Sequence, residues 1–215
     1  EVYLGADAFS ARAPARNFNR EELKEAVAYC HAYGVDVHLT VNTLLTDEEL
    51  PQALKLIEYA CSLPVDAIIV QDLGLFALLQ KAAPSLPLHA STQMSLHTPE
   101  GAALLKEMGA TRVVLAREMS LKEIRQVADR VPDVELEAFA HGALCMSVSG
   151  QCYFSAVLGG QSGNRGRCKQ PCRLPFAAPR GTGHDLSLKD LSMIGRLSEL
   201  QKAGIMSAKI EGRMK

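Results

Sequence analysis

Two hydrophobic patterns alternate along this chain. Short β-branched runs read as strands at residues 2–4, 35–43, 67–72, 87–92, 112–116, 134–141 and 207–213. Between them, apolar residues recur at helical spacing. Residues 21–33 place Leu23, Ala26, Val27 and Cys30 on one face, and residues 47–61 do so with Leu50, Leu54, Ile57 and Ala60 or Cys61. Asn19, Thr46 and Ser120 stand before acidic or mixed first turns, as helix N-caps do. Gly34, Gly109 and Gly204 stand where helices should stop.

Strand–helix alternation at this spacing predicts parallel strands joined by crossover helices. Seven strands are expected, with a strand at each end. The simplest account is an α/β fold of the TIM-type (βα)8 barrel, lacking its first strand and helix. A doubly wound open sheet is the competitor, but no G-x-G-x-x-G turn follows any strand. The period breaks once. Between the strand ending at His141 and a helix expected near Ser187 lies a Gly- and Cys-rich insertion, about residues 142–186. In a barrel it follows the C-terminal end of the penultimate strand, on the face where such enzymes carry their active sites.

Composition narrows the classes. With 215 residues, 47% of them hydrophobic, the chain suffices for one domain with a full core. Lys and Arg number 23 against 24 Asp and Glu, which excludes a uniformly basic nucleic-acid binder. The balance hides an asymmetry. From His141 to His184 there is no acid, whereas Arg165, Arg167, Lys169, Arg173 and Arg180 fall there. No apolar run is long enough to span a membrane, and the opening EVYLGADAF has neither half of a signal peptide. A cytoplasmic protein with reduced thiols is expected. The chain also opens in a strand without Met, as an excerpt of a longer protein would.

The insertion holds four of the six cysteines, Cys145, Cys152, Cys168 and Cys172, spaced C-x6-C-x15-C-x3-C. Four thiolates complete a tetrahedral zinc site or hold an iron–sulfur cluster, and the spacing leaves the two level. An anionic cluster would explain the surrounding Arg and Lys, although these also suit a solvated loop. Cys30 and Cys61, on apolar helix faces, read as small buried hydrophobes.

Strand alternation supplies the other candidates. In residues 134–141 it turns Glu135, Glu137, Phe139 and His141 into the barrel; in the last strand it turns Lys209, Glu211 and Arg213 inward. Glu137 is then within reach of Lys209 or Arg213, as a buried structural ion pair or as catalytic machinery. His141 and Glu211, nearer the strand ends, are candidate acid–base groups. Asn42, Asp72, Thr92, Gln93, Arg117 and Glu118 fall at the same rim, each alone an ordinary loop or capping residue. Arg117 with Arg12 or Arg213 suits a dicarboxylate. Protease chemistry finds little support: there is no H-E-x-x-H, and Ser162 is not in a G-x-S-x-G elbow. Gly159, Gly160, Gly163 and Gly166 read as loop formers, with no G-K-[ST] after them.

The stretch EAFAHGALCMSVSGQCYFS at residues 137–155 resembles the signature of peptidase family U32, the collagenase-like proteins. NTLLTDEEL, IVQDLG, HASTQM, VVLAREMSL, SGNRGRCKQPCRLP, LSLKDL and KIEGRMK match further family blocks in order. The family's usual opening, a strand of the type ELLAPAG and a helix, is missing here. The resemblance implies either a collagen-degrading activity or oxygen-independent hydroxylation. The hydroxylation factors act on a tRNA wobble uridine, on an rRNA cytidine or on ubiquinone precursors, and the RNA-directed ones depend on prephenate. It also implies a 4Fe–4S cluster on Cys145, Cys152 and Cys168. Cys172 matches the C-x3-C of a sister protein. SGNRGRC and CRLP look closest to the rRNA-directed branch. The favoured expectation is therefore an iron–sulfur RNA hydroxylase contacting RNA through the five insertion cations. A zinc-dependent peptidase and a non-enzymatic, zinc-stapled RNA-docking module are the alternatives.

Overall fold

The computed structural model describes all residues except Pro14, Gly150, Arg180 and 213–215. Five βα repeats and a sixth strand open the described chain: β1 Val2–Gly5, α1 Arg20–Ala32, β2 Val37–Val41, α2 Leu50–Ser62, β3 Ala67–Val70, α3 Leu73–Ala82, β4 Leu88–Ala90, α4 Pro99–Glu107, β5 Ala110–Val114, α5 Leu121–Arg130 and β6 Glu135–Gly142. The insertion carries a short helix, α6 Phe154–Gly159, and an antiparallel hairpin of β7 Phe176–Ala178 and β8 Gly181–Gly183. After it come β9 Leu191–Ser192, α7 Leu197–Lys202 and β10 Ser207–Ile210. The parallel strands run in the order β1-β2-β3-β4-β5-β6-β10 and form a partial TIM-type barrel.

Local signals placed most elements. Asn19 and Ser120 close capping boxes with Glu22 and Glu123. Gly34, Gly109 and Gly204 follow helix ends with φ of +67°, +98° and +100°. Two helices begin later than their periodicity suggests. α2 starts at Leu50 rather than Asp47, because Pro51 has no N–H to donate and belongs in a first turn. The helix expected near Ser187 starts at Leu197. Leu191 and Ser192 instead pair antiparallel with Gly142 and His141, which extends the insertion past its predicted end.

Alternation divides the strands into an outer and an inner face. Val37, Leu39, Ile68, Val70, Leu88, Val113 and Leu136 are buried in the core that the helices cover, with Leu23, Val27, Ile57, Phe76, Leu105, Ile124 and Val127. Burying these side chains stabilises the fold by roughly 1.5–3 kcal/mol each. Ala208 and Ile210 take the outward positions of β10 as predicted but are exposed, because no described helix lies over that strand. The inner face is polar. Between β1 and β10 lies a cavity of about 510 Å³, lined by Glu1, Tyr3, Arg12, His38, Glu137 and Lys209 among others.

Candidate functional site

The interior of the barrel holds a charge network below the rim. Glu137 is 3% exposed; its Oε1 accepts from Lys209 Nζ at 2.5 Å and its Oε2 from Arg112 Nη1 at 3.1 Å. Arg112 also donates to Glu135 at 2.8 Å and to Glu1 at 2.6 Å. Glu1 sits at about 2: burial raises it, but hydrogen bonds from Arg112 and Ser207 outweigh that. The predicted pairing of Glu137 with Lys209 is therefore present. Arg112 shares the Glu137 carboxylate, and Glu137 and Lys209 both line the cavity between β1 and β10. Arg213, the other predicted partner, lies outside the described residues.

Arg112, His38 and His89 escaped the sequence reading, although strand parity marks all three as inward. The rings of His38 and His89 meet edge to face at 4.6 Å. Burial, then the charges of His38 and Arg112, push His89 down to about 3, and its Nδ1 is buried without a hydrogen-bond partner.

At the C-terminal rim, Glu211 bridges two arginines. Its Oε1 meets Arg12 Nη2 at 2.5 Å and its Oε2 meets Arg117 Nη2 at 3.2 Å. The Arg117 guanidinium lies 4.0 Å from the centre of the Phe139 ring, and its Nε is buried with no acceptor among the described residues. The backbone N–H of Glu211 donates to the His141 carbonyl, so these two predicted residues end adjacent strands side by side. Gly142 makes this possible. Its φ is +151°, and a Cβ there would lie 3.0 Å from Cβ of Glu211.

Further along the rim, Gln93 Nε2 donates to the Asn42 carbonyl at 3.2 Å, and Asn42 Oδ1 accepts from the Ala11 N–H at 2.9 Å. Gln71, which sequence reasoning did not single out, stands beside them; its Oε1 is buried with no partner among the described residues. Three predicted rim residues serve the backbone instead. Asp72 caps α3 and accepts from the N–H groups of Leu75 and Leu45. Thr92 donates to the Leu115 carbonyl at 3.1 Å. Glu118 accepts from the Ser149 N–H at 2.6 Å and from its hydroxyl. Short polar side chains at strand ends meet these backbone groups first.

Those Glu118 contacts fasten the insertion to the barrel. Ser149 is fully buried, donates to Glu118, accepts from the Arg117 N–H, and its carbonyl accepts from Ser95. Gly166, at φ +71°, packs on the loop after β1 so closely that a Cβ would lie 2.4 Å from the Ala11 carbonyl carbon. Arg165 and Arg173, read from sequence as RNA contacts, are turned into the protein. Arg165 pairs with Glu49 and donates to the Leu44 carbonyl at 2.5 Å. That partnership, with the Thr46 N–H, holds the Glu49 carboxyl at about 2. Arg173 donates to the carbonyls of Leu144 and Leu188 and to the Ser187 hydroxyl. Arg167 and Lys169 are exposed, and Arg180 lies outside the described residues.

Cys145, Cys152 and Cys172 are half-buried and Cys168 is exposed. Burial pushes the Cys145 thiol up; the Ser147 backbone lowers it, and Cys152, Cys172 and Cys168 raise it further. Among the described residues no three Cys, His, Asp or Glu side chains converge on a point that one ion would occupy. Elsewhere, Cys30 is half-buried as its apolar face suggests. Cys61 is exposed at the end of α2, because its position falls just past the buried stripe of Ala53, Leu56, Ile57 and Ala60.

A family model for peptidase family U32 matches residues 1–215. The chain belongs to peptidase family U32. It is 43% identical over 221 residues to the 23S rRNA 5-hydroxycytidine C2501 synthase of Escherichia coli strain K12, covering all of this chain and 33% of that protein. Against the tRNA hydroxylation protein P1 of Bacillus subtilis strain 168 the identity is 34%, over all of this chain and 54% of the relative. The Collagenase of Porphyromonas gingivalis is 33% identical, over 99% of this chain and 55% of its own length. The U32 chain thus spans between a third and just over half of these relatives. The solved structure of the U32 peptidase Mk0906 superposes with a TM-score of 0.57 at 20% identity, covering 66% of this chain and 60% of that one, and supports the fold. No helix among the described residues is long and apolar enough to cross a membrane.

Proposed function

We propose that this U32 chain is the barrel portion of an oxygen-independent RNA-base hydroxylase that uses a 4Fe–4S cluster and prephenate. The observation that carries the reading is the fastening of an acid-free, four-cysteine insertion onto the rim that also holds Arg12, Arg117 and Glu211. Relatives named for rRNA and tRNA hydroxylation match along the whole chain, which supports RNA as the substrate class.

Cys145, Cys152, Cys168 and Cys172 fit the cluster by donor chemistry. Four thiolates can hold a cluster, and the acid-free, basic insertion that carries them suits its net negative charge. When bound, such a cluster supplies one-electron redox chemistry beside the rim. The chain's own residues do the rest. The Arg12 and Arg117 guanidiniums suit bidentate capture of prephenate carboxylates, while Asn42, Gln71 and Gln93 offer amide donors and acceptors to a base edge. His141 and Glu211, side by side, are placed to exchange a proton with a bound group. Arg167 and Lys169 stand exposed for RNA phosphates.

The test compares modified nucleosides of rRNA and tRNA by mass spectrometry in cells with and without the gene. It adds iron analysis of the full protein purified without oxygen. The expected results are loss of one hydroxylated nucleoside and about four iron atoms per chain. Unchanged nucleosides, with protein that stays colourless after anaerobic reconstitution, would overturn the proposal. Cleavage of gelatin that depends on bound zinc would favour a peptidase instead.

A further inference from the structure

Glu211 occupies a position that its surroundings would equally offer to a ligand. Its carboxylate lies between Arg12 and Arg117, brought together from the loop after β1 and the end of β5, and its side chain is only 16% exposed. The grip on Arg117 is incomplete. Glu211 takes one Nη2 hydrogen bond at 3.2 Å, while the buried Nε on the same edge of the guanidinium has no acceptor among the described residues. Buried donors in folded proteins nearly always find a partner, and the Nε–Nη2 edge is the one that a carboxylate fills with two parallel hydrogen bonds. The Phe139 ring packs against the same guanidinium, its centre 4.0 Å from Cζ. Arg12 is 35% exposed, so the bridge faces solvent on the side from which a ligand would arrive. Glu211 lies just past the end of β10, its backbone N–H bonded to the His141 carbonyl.

We infer that Glu211 is a built-in stand-in for a substrate carboxylate. It keeps the two guanidiniums paired until an organic carboxylate takes their inner edges, and then swings aside. Without it, Arg12 and Arg117 would repel one another at the rim. With it, binding costs the breaking of an internal ion pair, which excludes weak anions that make only one contact. The inference deepens the proposed function, because it rests on reading the rim as a carboxylate co-substrate site.

The experiment is calorimetric titration of the full chain and its variants with prephenate, with phenylpyruvate as a monocarboxylate and with cytidine 5′-monophosphate as a phosphate. Glu211→Gln keeps the size and removes the competing charge, so prephenate should bind about tenfold more tightly. Glu211→Asp should restore near wild-type affinity, and Arg117→Lys should weaken binding about tenfold because the two-point edge is lost. Each variant's thermal midpoint confirms that it is folded. Prephenate affinity that is unchanged or weakened in folded Glu211→Gln overturns the stand-in role while leaving the co-substrate site intact. Tightening for cytidine 5′-monophosphate but not for prephenate overturns it in favour of an RNA-phosphate site. No carboxylate binding by wild type or by any variant overturns both the inference and the co-substrate reading beneath it.

Discussion

Glu137, 3% exposed, accepts from both Lys209 and Arg112. Removing one member of such a network leaves the others buried and uncompensated, at a cost of about 3–5 kcal/mol. Glu137→Ala should therefore lower stability in urea unfolding by that amount, and Glu137→Gln by less, since it keeps the volume and one acceptor. Equal, small losses for both would mean that solvent reaches the network. His89 makes a second residue-scale prediction. Folded, it titrates at about 3, well below its ordinary 6.5, with burial as the largest cause. Between those values the unfolded chain binds the extra proton, so stability falls as pH drops through the window and reaches its floor below about 3. Replacing His89 with Gln should flatten the stability–pH curve across that range, by at most about 1.4 kcal/mol per pH unit. Parallel curves for wild type and variant would show that His89 accepts its proton inside the fold.

At the scale of elements, legibility followed locality. The caps at Asn19 and Ser120 and the stops at Gly34, Gly109 and Gly204 depend on neighbours within four residues, and all are where the sequence puts them. The helix expected near Ser187 was displaced because Leu191 and Ser192 pair with β6, some 50 residues away in the chain, which no local pattern announces. The fastening of the insertion is non-local in the same way: Glu118 looked like a rim residue and is instead the acceptor for Ser149. Ser149→Ala removes the hydroxyl that joins Glu118 to the Arg117 N–H, a loss of about 1–2 kcal/mol. Hydrogen exchange should then speed up across residues 143–186 while β2 to β5 keep their protection. Uniform acceleration throughout the barrel would show that the insertion and the sheet open together.

Across the whole molecule, the sequence revealed which residues face inward but not which of them meet. Parity placed Glu137, Lys209 and Glu211 inside, yet the convergence of Arg12, Arg117 and Glu211 depends on sheet curvature and on contacts spanning 94 residues or more. The same limit applies to charge. The five insertion cations read as one basic patch, but folding commits Arg165 to Glu49 and Arg173 to the carbonyls of Leu144 and Leu188. Arg167 and Lys169 remain exposed in the structure. If RNA docks on this face without rearrangement, Arg167→Ala and Lys169→Ala should each reduce the slope of log affinity against log salt by about 0.7. Arg165→Ala should leave that slope unchanged and loosen the insertion, since its charge is already neutralised within the protein. The measurement is RNA affinity across a salt series for the three single variants. A slope that falls equally for Arg165→Ala would mean that phosphate displaces Glu49, and that RNA reshapes the insertion as it binds.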